Sequence, residues 1–200
     1  MRIVSGRFKG RVLKAPKGQG TRPTVDRVRE AMASSIMSAW GGPVGGAVLD
    51  AFGGSGALGL EMLSRGASSC LFFERDRRAR QTLQANIEAL GLTRGEARVV
   101  PKDVQVAAAA GPLTRVPFEL VLLDPPYKVP ADEVWKLVGD LAAHGDLAPF
   151  CVVVYEHSAE TGPGEVPPSL AAHRLALHGS KRYGIVGVTI VTLTAGNEED

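Results

Sequence analysis

From Ala47 onward the chain alternates short apolar runs with helix-length segments. The apolar runs Ala47 to Ala51, Cys70 to Phe73, Ala97 to Val100, Glu119 to Leu123 and Cys151 to Tyr155 predict strands. Segments near Ala57 to Ser64, Arg77 to Leu90, Val104 to Ala110 and Ala131 to Ala143 predict the helices between them. Such alternation implies an α/β fold: a mostly parallel sheet flanked by helices, with ligands at the carboxyl ends of the strands. The tail breaks the rhythm. Leu170 to Leu177 and Ile185 to Leu193 read as two consecutive strands joined through His178 to Gly184, so the sheet is expected to finish with a hairpin and an antiparallel strand. At the other end, Arg2 to Val4 and Arg11 to Leu13 around glycine-bearing Ser5 to Gly10 predict a short β-hairpin, an appendage rather than a core element. Pro16 to Thr24 reads as a loop. Thr24 would cap a helix running to about Trp40, with Val25, Val28, Met32, Ile36 and Met37 facing the core and Gly41-Gly42-Pro43 ending it.

Composition narrows the class. An apolar fraction of 44% against 22% charged over 200 residues fits a soluble globular protein of one domain, with or without a small appendage. The longest apolar stretches fall short of the roughly 18 to 20 residues a membrane span needs, so no membrane is expected. The basic, glycine-punctuated amino terminus lacks a signal-peptide core, and the expected compartment is the cytoplasm. Cys70 and Cys151 lie inside apolar runs as reduced, buried thiols. His144, His157, His173 and His178 form no ligand spacing with them, and no metal is expected. Charge is unevenly placed: Arg2, Arg7, Lys9, Arg11, Lys14, Lys17, Arg22, Arg27 and Arg29 face only Asp26 and Glu30 in the first thirty residues. A basic arm on a mildly acidic body suits a nucleic-acid partner, although a solvated basic tail would have the same composition.

The chemistry is concentrated after the strands. Asp124-Pro125-Pro126-Tyr127 follows the apolar run ending at Leu123. An acid, two prolines that stiffen the backbone and remove donors, and an aromatic ring make a rigid, acceptor-rich pocket with a stacking wall. Such a pocket suits a planar amino group, while the alternative reading is an ordinary turn. Gly54, Gly56 and Gly59 satisfy G-x-G-x-x-G after the first strand, where glycines let backbone amides approach a ligand and let a helix pack closely. Asp50 stands immediately before them. It would oppose a dinucleotide pyrophosphate at the helix amino terminus and suits a cation such as the α-ammonium of S-adenosylmethionine, unless it serves only as a turn carboxylate. Glu74, ending the second strand, can accept from both ribose hydroxyls of an adenosine. Asp103, after the third, can accept from an adenine amino group with Val104 packed on the ring, or can cap the next helix.

In this order the loop, Glu74, Asp103 and the tetrapeptide resemble the class I S-adenosylmethionine-dependent methyltransferases over about Val48 to Leu193. The resemblance implies a Rossmann-like, mostly parallel seven-stranded sheet with one antiparallel strand, and an N-terminal β-hairpin extension. It implies a cofactor set of Asp50, Phe52, Gly54, Gly56, Glu74, Arg75, Asp103 and Val104, with Asp124, Pro125, Pro126 and Tyr127 as the catalytic motif. Asp-Pro-Pro-Tyr resembles the motif of enzymes that methylate adenine N6, guanine N2 or a glutamine amide. Arg2 to Gly6, Gly10-Arg11, Leu13, Thr21 to Thr24 and Asp26 to Ala31 resemble the bacterial RsmD family more narrowly, as does Lys181-Arg182-Tyr183-Gly184. That family methylates guanine N2 in small-subunit ribosomal RNA, at guanine 966 of 16S rRNA. The implied partner is therefore that RNA or the assembling small subunit, bound by a monomer through Arg7, Lys9, Arg11, Arg22 and Thr24. The expected divisions are 1–24 for the RNA-binding hairpin and loop, 25–195 for the methyltransferase domain and 196–200 for a disordered acidic tail. Two departures stand out: Gly53 replaces the family's usual alanine, and Met32 to Ile36 lacks its usual aromatic residue. A glutamine or adenine methyltransferase, and a non-catalytic RNA-binding module, are the competing readings; the module would leave Asp50, Glu74 and Asp124 idle.

Overall fold

A computed structural model describes residues 1–15, 23–41 and 45–194, and of the side chains in residues 23–29 only that of Val28. The seven strands are β1 Ala47–Asp50, β2 Ser69–Phe73, β3 Ala97–Val100, β4 Phe118–Leu123, β5 Leu147–Ser158, β6 Leu175–Tyr183 and β7 Val186–Leu193. The helices are α1 Pro23–Trp40, α2 Ala57–Ser64, α3 Arg77–Leu90, α4 Val104–Ala110, α5 Ala131–Ala143 and α6 Pro168–Ala172. One sheet runs β3-β2-β1-β4-β5-β7-β6. The pairs from β3 through β5 are parallel, and β7 is antiparallel to both β5 and β6. This is the Rossmann-like methyltransferase arrangement, with the strand order reversing between β1 and β4. A crevice opens at such a reversal, because the crossover helices on its two sides leave for opposite faces.

Strand side chains alternate between two apolar layers. Val48, Phe72, Leu120, Leu122, Val152 and Val154 pack with Met32, Ile36, Leu60, Leu63 and Leu83 from α1, α2 and α3. Leu49, Phe73, Val121, Leu123, Val153 and Tyr155 pack with Val104, Val134, Trp135, Val138 and Leu141 from α4 and α5. Burial on both faces explains why β1 up to Leu49, β4 from Leu120 and the middle of β5 are unbroken apolar runs.

Four expectations need correction. The predicted strand Leu170 to Leu177 begins instead as a short helix, α6, because Pro168 at its start presets the helical φ and Leu170 is buried beneath it. β6 consequently starts at Leu175 and runs through the predicted connection to Tyr183; the turn is only Gly184 (φ 66°) and Ile185, a two-residue hairpin. β5 is far longer than Cys151 to Tyr155, extending to Ser158. The amino-terminal segment carries one bridge, Arg2 to Val12, rather than paired strands, and it is not an appendage. Ile3 and Leu13 are buried in the main core, and the buried Glu61 carboxylate accepts from the Val4 and Ser5 amides and from Arg65 Nε. Gly6 (φ 80°) lies so close to the end of α2 that a Cβ would fall 1.7 Å from the Ser64 carbonyl oxygen. Finally, α1 starts at Pro23, so Thr24 lies within it rather than before it. Arg22 with its loop, Gly42-Pro43 and the acidic tail lie outside the described residues, as do the side chains of Thr24, Arg27 and Arg29.

Candidate active site

The glycine loop joins β1 to α2 on one side of the crevice. Gly54 and Gly56 have φ of 53° and 81°, a region costly for residues with a Cβ. Their surroundings differ. A Cβ on Gly54 would meet nothing nearer than the Phe52 carbonyl oxygen at 3.8 Å, leaving open space above the loop where a ligand can lie against backbone. A Cβ on Gly56 would clash with Leu83 of α3 at 2.3 Å, so this glycine serves packing. Gly59 lets the first turn of α2 approach β1: its N–H donates to Asp50 Oδ2 at 3.2 Å, and a Cβ would sit 2.5 Å from Phe72. At Gly53 a Cβ would touch Leu83 at 3.3 Å, a contact that a small shift absorbs, so alanine and glycine are both compatible there.

The neighbouring acids brace this loop. Glu74 accepts from the Gly54 N–H at 2.8 Å and from the Asp76 N–H at 2.7 Å, tying the end of β2 to the glycines. Asp103 caps α4 by accepting from the Gln105 N–H at 3.0 Å, and pairs with Arg75 at 2.7 Å. Both sequence readings of Asp50 and Asp103 are thus compatible with one geometry: each holds a helix turn and still borders the crevice. Val104 is buried in the α4/α5 layer and Phe52 is partly buried against it.

Across the crevice, the chain leaves β4 as Asp124-Pro125-Pro126-Tyr127. Pro125 is buried, Asp124 and Pro126 are exposed, and Tyr127 keeps 62% of its surface open. The Pro126 carbonyl accepts from the Val129 N–H at 2.8 Å, which closes the turn. Beyond it opens a pocket of about 250 Å³ walled by Tyr127, Pro130, Tyr155, Glu156, His157 and Ser158, among others. The apolar run predicts a strand ending at Tyr155, which leaves Glu156, His157 and Ser158 outside the expected site. Their signal was a polar triplet directly after an apolar run, the same pattern that marked Asp124.

Electrostatics join the two sides. Burial, and then the charge of Asp124, push the Asp50 carboxyl up to about 7. The protein around Asp124 pushes that carboxyl upward too, although its own surface stays open to water. The Tyr127 phenol is raised by partial burial and then by the nearby Glu156 and Asp124 charges. A crevice with this much negative potential favours a cationic ligand. Among the described residues no group of three His, Cys, Asp or Glu could hold a metal, and no helix is long and apolar enough to cross a membrane.

The basic hairpin is partly committed to the fold. Arg7 pairs with Glu96 at 2.7 Å and covers the Phe8 ring at 4.5 Å; Arg11 donates to the Ala89 carbonyl at the end of α3. Lys9 is exposed. Asn86 links this segment to the site, accepting from the Lys14 N–H at 2.8 Å and donating to the Ser55 carbonyl in the glycine loop at 2.9 Å.

Residues 1–192 match a family described as Conserved hypothetical protein 95. YlbH of Bacillus subtilis (strain 168) is 38% identical over 192 residues, 95% of this chain and 97% of that protein. Ribosomal RNA small subunit methyltransferase D of Escherichia coli (strain K12) is 36% identical over 185 residues, 92% of this chain and 87% of the relative. Among solved structures, yhhF from Escherichia coli superposes with a TM-score of 0.78 at 33% identity, covering 98% of this chain and 99% of its own.

Proposed function

The chain belongs to the Conserved hypothetical protein 95 family, the RsmD family, and we propose that it transfers a methyl group from S-adenosylmethionine to N2 of a guanine in small-subunit ribosomal RNA. The observation that carries this reading is the placement of Asp124-Pro125-Pro126-Tyr127 at the β1/β4 reversal, between the acid-lined glycine loop and an open pocket.

The donor fits the residues present. Open space above Gly54 leaves room for a ligand against backbone; Glu74, next to the glycine loop, would accept from ribose hydroxyls, and Asp103, at the start of α4, from an adenine amino group. Buried Asp50 offers its negative charge to the α-ammonium group, which relieves the cost of its burial. When bound, S-adenosylmethionine supplies an electrophilic methyl on a cationic sulfur.

The remaining work falls on the acceptor side. An amino nitrogen conjugated with a purine ring is a poor nucleophile, since its lone pair is delocalised. Asp124 and the Pro125 carbonyl accept its two hydrogens, which orients the nitrogen and returns electron density to it. Tyr127, exposed and directly after two prolines, stacks on the base, a contribution of about 1 to 3 kcal/mol by the measure of aromatic platforms for unpaired bases. The base must leave its stack to enter the pocket. Lys9 and its neighbours on the docked hairpin meet the RNA backbone. The test is to incubate the protein and labelled donor with small ribosomal subunits lacking the modification and to locate the label by mass spectrometry. Label on guanine N2 is expected; label on adenine or on protein overturns the reading.

A further inference from the structure

Three acids follow one another across the crevice on the same face of adjacent strands. On β1, Val48 and Asp50 point to the α1/α2/α3 layer; on β4, Leu120 and Leu122 do, and Asp124 continues their alternation; on β5, Val152 and Val154 do, and Glu156 continues theirs. The register Asp50 to Leu122 and Leu122 to Val154 sets Asp124 and Glu156 side by side, one step beyond Asp50. Glu156 is the single carboxylate among the residues lining the pocket, and its charge acts on the Tyr127 phenol. His157, in the same wall, is buried, with Nδ1 on the Ser158 carbonyl at 2.9 Å and Nε2 on Thr189 Oγ1 at 3.0 Å.

Bases that carry an exocyclic amino group differ in the ring atom beside it. In guanine that atom, N1, bears a hydrogen. In adenine the corresponding N1, and in cytosine N3, bears a lone pair. A carboxylate beside the acceptor for the amino group therefore attracts the guanine edge and repels the other two.

We propose that Glu156 is the residue that selects guanine, its carboxylate accepting N1–H while Asp124 and the Pro125 carbonyl hold the N2 hydrogens. This rests on the reading of the crevice as a guanine-N2 methylation site. It assigns specificity to a β5 residue outside the Asp-Pro-Pro-Tyr motif, and it gives the pocket a physical means of refusing adenine although the motif alone accepts it.

The discriminating substrate is ribosomal RNA with 2-aminopurine at the methylated position, which keeps the 2-amino group and turns N1 from a donor into an acceptor. Wild-type protein is expected to methylate the guanine RNA about 100-fold or more better than the 2-aminopurine RNA, because a charged acceptor facing a lone pair loses its bond and gains repulsion. Glu156→Gln, whose amide can donate to N1, is expected to bring that ratio within about tenfold, chiefly by losing activity on guanine. Its affinity for S-adenosylmethionine, measured by calorimetry, should stay within about twofold, since a folded donor site does not involve Glu156. A wild-type enzyme indifferent to the two RNAs overturns the proposal even if the variant does not fold, as does a folded variant with the wild-type ratio. Transfer by the wild type to adenine or to protein removes the guanine reading itself and the role of Glu156 with it, an outcome distinct from loss of discrimination on guanine RNA.

Discussion

The two sides of the crevice are built in opposite ways. On the donor side the polar groups already hold one another: Glu74 is bonded to Gly54 and Asp76, Asp103 to Gln105 and Arg75, Asp50 to Gly59. On the acceptor side Asp124 and Tyr127 are exposed on a proline-stiffened turn. A small donor molecule must find its site preorganised, because it has little binding energy with which to order a loop. A macromolecular acceptor brings its own surface and can complete an open one. The proposed donor side is therefore a finished cradle and the proposed acceptor side half of an interface.

Removing Asp124 should separate the sides most sharply. Asp124→Asn is expected to slow methyl transfer by about 10² to 10³-fold, the scale for a lost transition-state contact, with S-adenosylmethionine affinity changed only a few-fold. The small affinity change has a physical reason: the charge of Asp124 raises the Asp50 carboxyl, so its removal leaves Asp50 more fully ionised at neutral pH. Single-turnover kinetics and calorimetry read the two quantities separately. A parallel loss of donor affinity would mean the crevice works as one unit.

The next effect belongs to the donor side and follows pH. A cation favours ionised Asp50, so donor affinity should level off above about 7 and fall as pH drops below it, by at most tenfold per pH unit. Asp50→Asn should flatten that profile at the weak-binding level. The stability consequence runs the other way. Asp50 in the folded chain resists ionisation that the unfolded chain undergoes near 3.8, so its contribution to the ligand-free fold declines as pH rises from about 4 to about 7. Asp50→Asn escapes that decline. The Tm of the variant relative to wild type should rise across the same window and be constant above it.

The same contrast explains what the sequence disclosed. Asp50, Glu74 and Asp124 stand out in the sequence because each directly follows an apolar run, and Asp103 because it lies just past the third such run, at the start of a predicted helix; strand ends in a parallel sheet are where ligands gather. Glu156 also follows an apolar run, Cys151 to Tyr155; what no local pattern in β5 announces is that the strand continues to Ser158, a boundary set by its antiparallel ladder with β7 through pairs such as His157 to Gly187. The α6 helix departs from the strand pattern for a related reason: Leu170 to Leu177 is apolar enough for either, and Pro168 just ahead of it decides for helix. The hairpin looked detached because its residues are glycine-rich and basic. What docks it is chiefly backbone, to Glu61 and Ser64, and backbone donors leave no mark in a sequence.

That docked hairpin carries the smallest expected effect, and it repeats the contrast within five residues. Arg7 is engaged by Glu96 and Phe8 and Arg11 by the Ala89 carbonyl, whereas Lys9 points its charge to solvent. A phosphate competing for Arg7 must displace Glu96, whose carboxyl is held down to about 2 by the Thr93 amide and then by Arg7 itself. Lys9 has no such bond to give up. Each cation that neutralises a phosphate adds nearly one unit to the slope of log affinity against log salt. Lys9→Ala should therefore lower that slope for RNA binding by about one unit at unchanged thermal stability. Arg7→Ala should leave the slope in place while making the amide protons of Arg7 and Phe8, which bond to Ser64, exchange faster. If Arg7→Ala instead removes a unit of slope, the ion pair with Glu96 opens on RNA binding, and the hairpin belongs with the open, acceptor side of the molecule.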